Sequence, residues 1–183
     1  MSINTFKDKI NANYFVRFPR RSSTTGEILD ALQGEDEGVQ AAKAHFHGSV
    51  TFLHRGVSHM AFIFASSLLL HILDYDCTFT FADATFHTAP KPFSQVFNIL
   101  VSYKGVVVPV FHILMTAKPF GLYAAVFERL SDLFPNFRPV YANTDFEAAL
   151  TRAIRMSFPS CIINGCRFHY VKAVFRAIMG PSK

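Results

Sequence analysis

Apolar residues recur along this chain with two periods, and the change between them falls between Met115 and Tyr123. Upstream the pattern is that of strands. Cys77, Phe79, Phe81 and Asp83 alternate with Thr78, Thr80 and Ala82, the period of two that marks a strand with two unlike faces. Phe93–Tyr103 and Val106–Met115 are β-rich runs separated only by Lys104-Gly105, which predicts an antiparallel hairpin. Downstream the period lengthens. Tyr123, Val126, Phe127, Leu130, Leu133 and Phe134 recur at helical spacing until Pro135 stops them. A short strand is expected over Pro139–Asn143, then a helix striped by Phe146, Ala149, Leu150, Ala153, Ile154 and Ser157. Cys161–Asn164 reads as another short strand, followed by a helix striped by Val171, Val174, Phe175, Ile178 and Met179. Ahead of all these, Met60–Leu73 is mostly apolar and predicts a buried helix capped by Ser58.

The expected order is β-β-β-α-β-α-β-α. A hairpin-bearing group of strands followed by alternating helices and strands implies an α/β fold, a mixed sheet flanked by helices. That order matches the ribonuclease H-like architecture, and it puts the first and fourth strands side by side. Residues 50–183 carry the pattern, and residues 1–49 read as a helical or irregular lead-in, partly flexible. In the lead-in a basic tract, Arg17 to Arg21, gives way to Ser22–Gly26 and then to the acidic Gly34–Gly38, a composition expected of a mobile segment. Glu27–Gln33 within it reads as a short helix.

Composition narrows the class. Half of the residues are apolar and 17% are charged, which is enough for a full core and far from the disordered class. The apolar run 60–73 is 14 residues long, short of the ~20 a membrane span needs. Three cysteines make no even disulfide framework, and the polar start does not read as a secretory leader. A reducing compartment, nucleus or cytoplasm, is expected rather than secretion. The net charge of +5 is compatible with a polyanionic partner such as DNA, without requiring one.

The chemistry concentrates on two acids. Asp83 ends the first expected strand and Asp145 ends the fourth, so both carboxylates would project from one edge of the sheet. Two acids that close repel, and a divalent cation relieves the repulsion. Hard oxygen ligands suit Mg²⁺ or Mn²⁺, and a metal pair can activate an attacking oxygen while stabilising a leaving one. The plainer alternatives stay open here: Asp145 as a capping acid of the next helix, Asp83 as a turn acid. Glu147 reads as a solvated first-turn acid. Cys166 and His169, three apart, share a helix face and would make half of a Zn²⁺ site, or else a core thiol and an imidazole. Arg155, Arg167, Lys172 and Arg176 lie on the last two helices, as phosphate contacts or as a solvated face.

These residues resemble a known family. Asp83-Ala-Thr-Phe86, Pro90, Pro92-Phe-Ser-Gln95, Val108-Pro-Val-Phe111, Tyr123, Thr144-Asp-Phe-Glu147 and Gly165-Cys-Arg-Phe-His169 resemble, in order and spacing, the transposase domain of Mutator-like elements (MULE). The likeness covers roughly residues 60–180. It implies a ribonuclease H-like core of the DDE class, with three acids binding two Mg²⁺ for cut-and-paste transposition of DNA, and it leaves self-association open. By matching position, Asp83 is the first acid, Asp145 the second, and Cys166 with His169 the family's Cys-x-x-His element. The chain departs from the family pattern at the third acid, for no Asp or Glu follows Glu147. An incomplete and inactive copy is therefore expected, or alternatively a non-catalytic DNA- or protein-binding module derived from a transposase.

Overall fold

A computed structural model describes residues 24–35, 39–75, 79–86 and 88–180. The basic tract Arg17–Arg21, residues 36–38 of the acidic tract, and the expected strand start at Cys77 lie outside the described residues.

Thr24 opens helix α1 (Thr25–Gln33) through a reciprocal cap. Its hydroxyl accepts the Glu27 N–H at 3.3 Å, and the Glu27 carboxylate accepts the Thr24 N–H at 2.7 Å. This is the helix expected over Glu27–Gln33. A single turn, α2 (Gln40–Lys43), leads into strands β1 (Phe46–His54) and β2 (Val57–Ala65). After another short turn, α3 (Ser67–Leu70), come β3 (Phe79–Thr85), β4 (Gln95–Tyr103) and β5 (Val106–Met115). The chain then alternates through α4 (Phe120–Leu133), β6 (Tyr141–Thr144), α5 (Ala148–Ser157), β7 (Ile162–Gly165) and α6 (Arg167–Met179).

All seven strands form one sheet in the order β1-β2-β5-β4-β3-β6-β7. The β3–β6 and β6–β7 pairs are parallel and the others antiparallel. The five strands from β5 to β7 realise the expected mixed sheet and its ribonuclease H-like arrangement, with β3 and β6 adjacent. The β1–β2 hairpin extends that sheet beyond β5.

The hairpin corrects the sequence reading. Met60–Ala65 is strand rather than helix, and only residues 67–73 of the expected helix are helical, within α3 and a short 3₁₀ turn, His71–Asp74. The physical reason is burial on both faces. Ala61, Ile63 and Ala65 pack into the main core while Phe62 packs with Ile28 and Leu32 of α1, so the run shows no alternation. The turn that closes it, Arg55-Gly56, has φ of 51° and 77°, and Lys104-Gly105 has 49° and 79°. Two successive positive φ values make the tight type I′ turn that suits strand twist. Near the start of β1 the register shifts between Phe46 and Gly48, and Gly48 carries the φ of 115° that this bulge needs.

The main core lies between one face of the sheet and α4. Phe97, Ile99, Val101, Phe111, Ile113 and Met115 meet Leu122, Tyr123, Val126, Phe127 and Leu130, all buried. Phe111 sits with ring centroids 5.1 Å from Phe134 and 5.4 Å from Phe137. α5 joins this layer through Leu150, Ala153 and Ile154. The opposite face is covered over β2 by α1. α6 has the expected apolar stripe yet buries none of its residues, with Phe175 and Ile178 exposed. No described helix is long and apolar enough to cross a membrane.

Candidate functional site

The parallel pairing of β3 with β6 fixes the geometry. Ala82 stands opposite Thr144, and Asp83 and Asp145 each follow one residue later. The two acids thus come together at one edge of the sheet, as their strand positions predicted. Asp83 is still inside β3 and faces Asn98 of β4, while the pairing of β3 with β6 ends one residue before it, at Ala82. Asp145 sits just beyond β6, where its Oδ1 accepts the Glu147 N–H at 3.1 Å. This bond gives Asp145 part of the bracing task of a capping acid, although the N-cap itself is Glu147 and α5 begins at Ala148, two residues later than the stripe from Phe146 implied. Phe146 is exposed rather than in the core, its ring lying against Gly165, where a Cβ would come within 2.7 Å of it.

On the sheet face opposite α4, Asp83, Asn98 and His112 form a polar row across three strands. Partial desolvation lowers the His112 pKa from its ordinary 6.5, which favours the neutral ring. Its Nδ1 lies 2.7 Å from Asn98 Oδ1, and in the neutral ring Nδ1–H is the donor.

Glu147 differs from its expected role. It is half-buried, with its carboxylate in hydrogen-bonding reach of the Tyr123 hydroxyl. Tyr123 in turn accepts from Gln95 Nε2 at 2.8 Å, and both Tyr123 and Gln95 are fully buried. Burial is the main cause that raises the Glu147 pKa, and the Asp145 charge adds to it. The Lys118 cation and the Tyr123 bond oppose the rise. Burial also pushes the Tyr123 phenol far above its usual value, so it stays a donor. The sequence held one signal for this cluster, a tyrosine in an otherwise aliphatic and phenylalanine stripe. Lys118 was also missed; its Nζ lies 5.1 Å from the centre of the Phe86 ring, so it neighbours the segments following both acids.

A pH dependence follows from the raised Glu147 pKa. A carboxyl whose folded pKa exceeds its unfolded value near 4.5 contributes stability below that value, and the contribution is lost as pH rises through the folded one. Glu147→Gln should therefore melt higher than the parent at pH 7, and the gap should close at pH 4. Thermal midpoints at the two pH values check this.

The donor set at the edge is all oxygen, from Asp83 and Asp145. Asn143, two residues before Asp145, has a buried Oδ1 with no hydrogen-bond partner. Such hard donors fit Mg²⁺ or Mn²⁺ better than a soft metal. Among the described residues no three His, Cys, Asp or Glu side chains converge as a complete metal site.

Cys166 takes the N-cap of α6 and His169 its first turn, both half-buried. The Cys166 N–H donates to Thr144 O at 2.7 Å, tying the start of α6 to the end of β6. Arg155 is exposed on α5, whereas Arg167, Lys172 and Arg176 are exposed on α6, so the four basic residues are divided between two helices. Lys172 lies over the Phe168 ring at 5.7 Å.

No curated protein sequence matches the chain. The family model of the MULE transposase domain matches residues 79–173, more than half of the chain. The match begins with β3 and spans Asp83, Asp145, Cys166 and His169 in the order their motifs implied. By that match, the chain belongs to the MULE transposase domain family.

Proposed function

We propose that this domain is related to a DDE-type catalytic core, in which Asp83 and Asp145 bind Mg²⁺ or Mn²⁺ for hydrolysis and strand transfer of DNA phosphodiesters. One observation carries the reading: the two acids follow the same register pair of adjacent parallel strands. A bound metal pair supplies an activated attacking oxygen and a stabilised leaving oxygen. The chain's own part is to hold the donors. β3 holds Asp83 opposite Asn98 of β4, one residue past its last pair with β6, and the Glu147 N–H orients Asp145. Lys118, near both loops, adds a cation where phosphate charge would approach.

With no acid after Glu147, these residues supply two of the family's three ligands. Turnover by this chain alone is expected near background. Nicking of supercoiled plasmid in Mg²⁺ should be the same for the parent and Asp83→Asn, and robust nicking lost in the variant would overturn that expectation. Mn²⁺ titration tests the site itself, since the parent should bind and either aspartate variant should not.

A second reading keeps the fold as a DNA- or protein-binding module without catalysis. The exposed Arg155, Arg167, Lys172 and Arg176, on helices that follow the last acid, favour it. Affinity for random-sequence DNA that falls steeply with salt supports a phosphate-contacting surface, and a flat dependence argues against one.

A further inference from the structure

We propose that Gln95, Tyr123 and Glu147 form a positioning chain that runs from the core to Asp145 and holds its carboxylate in place. The proposal rests on the reading of Asp145 as a metal-binding acid. It begins with two fully buried polar side chains on different elements, Gln95 on β4 and Tyr123 on α4. Gln95 Nε2 donates to the Tyr123 oxygen at 2.8 Å, which leaves the phenolic O–H free to donate to the Glu147 carboxylate. The tyrosine ring is locked in the core by Phe97, 5.2 Å away between centroids, so the donor cannot wander. Lys118 attracts the same carboxylate. A Glu147 side chain fixed in this way restrains its own backbone, and it is the Glu147 N–H that donates to Asp145 Oδ1.

A purely structural explanation fits poorly. Polar groups buried in an apolar core cost stability unless fully paired. Gln95 Oε1 is buried with no partner, so the network is incomplete at its inner end. Phenylalanine and leucine would fill the same space without that cost. The chain's use lies at its outer end, at the candidate metal ligand.

The test is the Mn²⁺ affinity of the full chain, read by the paramagnetic resonance of free Mn²⁺, with thermal midpoints recorded beside it. Tyr123→Phe and Glu147→Ala should each weaken Mn²⁺ binding about 10–100-fold, the usual cost of losing a group that orients a ligand. Glu147→Gln, whose amide oxygen still accepts from Tyr123, should recover most of that loss. Parent-like affinity in Tyr123→Phe overturns the proposal. So does a Glu147→Gln variant as weak as Glu147→Ala, which would assign the effect to charge.

Hydrogen exchange at the Glu147 amide separates this proposal from the metal reading. The amide should exchange faster in Tyr123→Phe than in the parent. If the parent binds no Mn²⁺, the metal reading falls while faster exchange still supports the anchor. Unchanged exchange overturns the anchor whatever the metal does.

Discussion

Asp83→Asn and Asp145→Asn should each weaken Mn²⁺ binding by at least about a hundredfold, because losing even a group that merely orients a ligand costs about 10–100-fold. Asparagine keeps the size and much of the hydrogen bonding of aspartate, so the change is mainly one of charge. Asp83 lies within a strand paired on both sides, and its replacement leaves every ladder bond in place. In metal-free buffer the variants should be as stable as the parent or slightly more so, since two adjacent carboxylates repel. Added Mn²⁺ should then raise the thermal midpoint of the parent alone. At a hundredfold excess over Kd the linkage amounts to about 2.7 kcal/mol. The double variant should lose little beyond either single one, because each acid depends on the other to hold the ion. Undiminished Mn²⁺ binding by Asp83→Asn would sink the assignment.

Phe111→Ala should remove about 3–5 kcal/mol of stability, the usual cost of emptying a buried aromatic site. Phe111 is fully buried in β5, between β2 and β4, and its ring meets both Phe134 and Phe137. Phe134 caps the end of α4, and Phe137 packs in turn against Phe158 at the end of α5. The ring therefore joins the sheet to the end of α4 and, through Phe137, to the end of α5. Against a total of about 5–15 kcal/mol for a typical domain, a large unfolded fraction is expected. Urea unfolding should show a midpoint shift at an unchanged slope. Phe111→Leu should lose clearly less, and equal losses would mean that the aromatic contacts contribute little.

How much of this was legible in the sequence depended on whether the deciding neighbours were local. The β4–β5 hairpin was visible because Lys104-Gly105 lies between two clear runs. Arg55-Gly56 offers the same turn chemistry, but its downstream strand is buried on both faces and loses its alternation. Burial between α1 and the main core is a tertiary fact, so the run over Met60–Ala65 could be read as helix. Asp83 and Asp145 were legible because each was expected to end a strand and the strand order made those strands neighbours; β3 in fact runs two residues past Asp83, and β6 stops one residue before Asp145. Glu147 was not, for its place is set by Tyr123 on another helix and Lys118 on the preceding loop. The α6 stripe was read correctly as helix, yet its periodicity could not say that the helix buries nothing.

The connectivity of the sheet also implies an order of assembly. The β1–β2 and β4–β5 hairpins each close a two-residue turn, an event of about 1–10 μs in isolated hairpins. The β3–β6 pair is different, because Phe79 must meet Tyr141, which lies beyond β4, β5 and α4 in the sequence. Long closures cost more entropy before any contact rewards them, so this parallel seam should join late. Pulse-labelled amides of residues 95–115 should gain protection before those of residues 141–144. Substitutions along the seam should then speed unfolding and leave the folding rate nearly unchanged. Asp83 and Asp145 stand on the two sides of that seam, so the edge that would hold the metal should form late and open early.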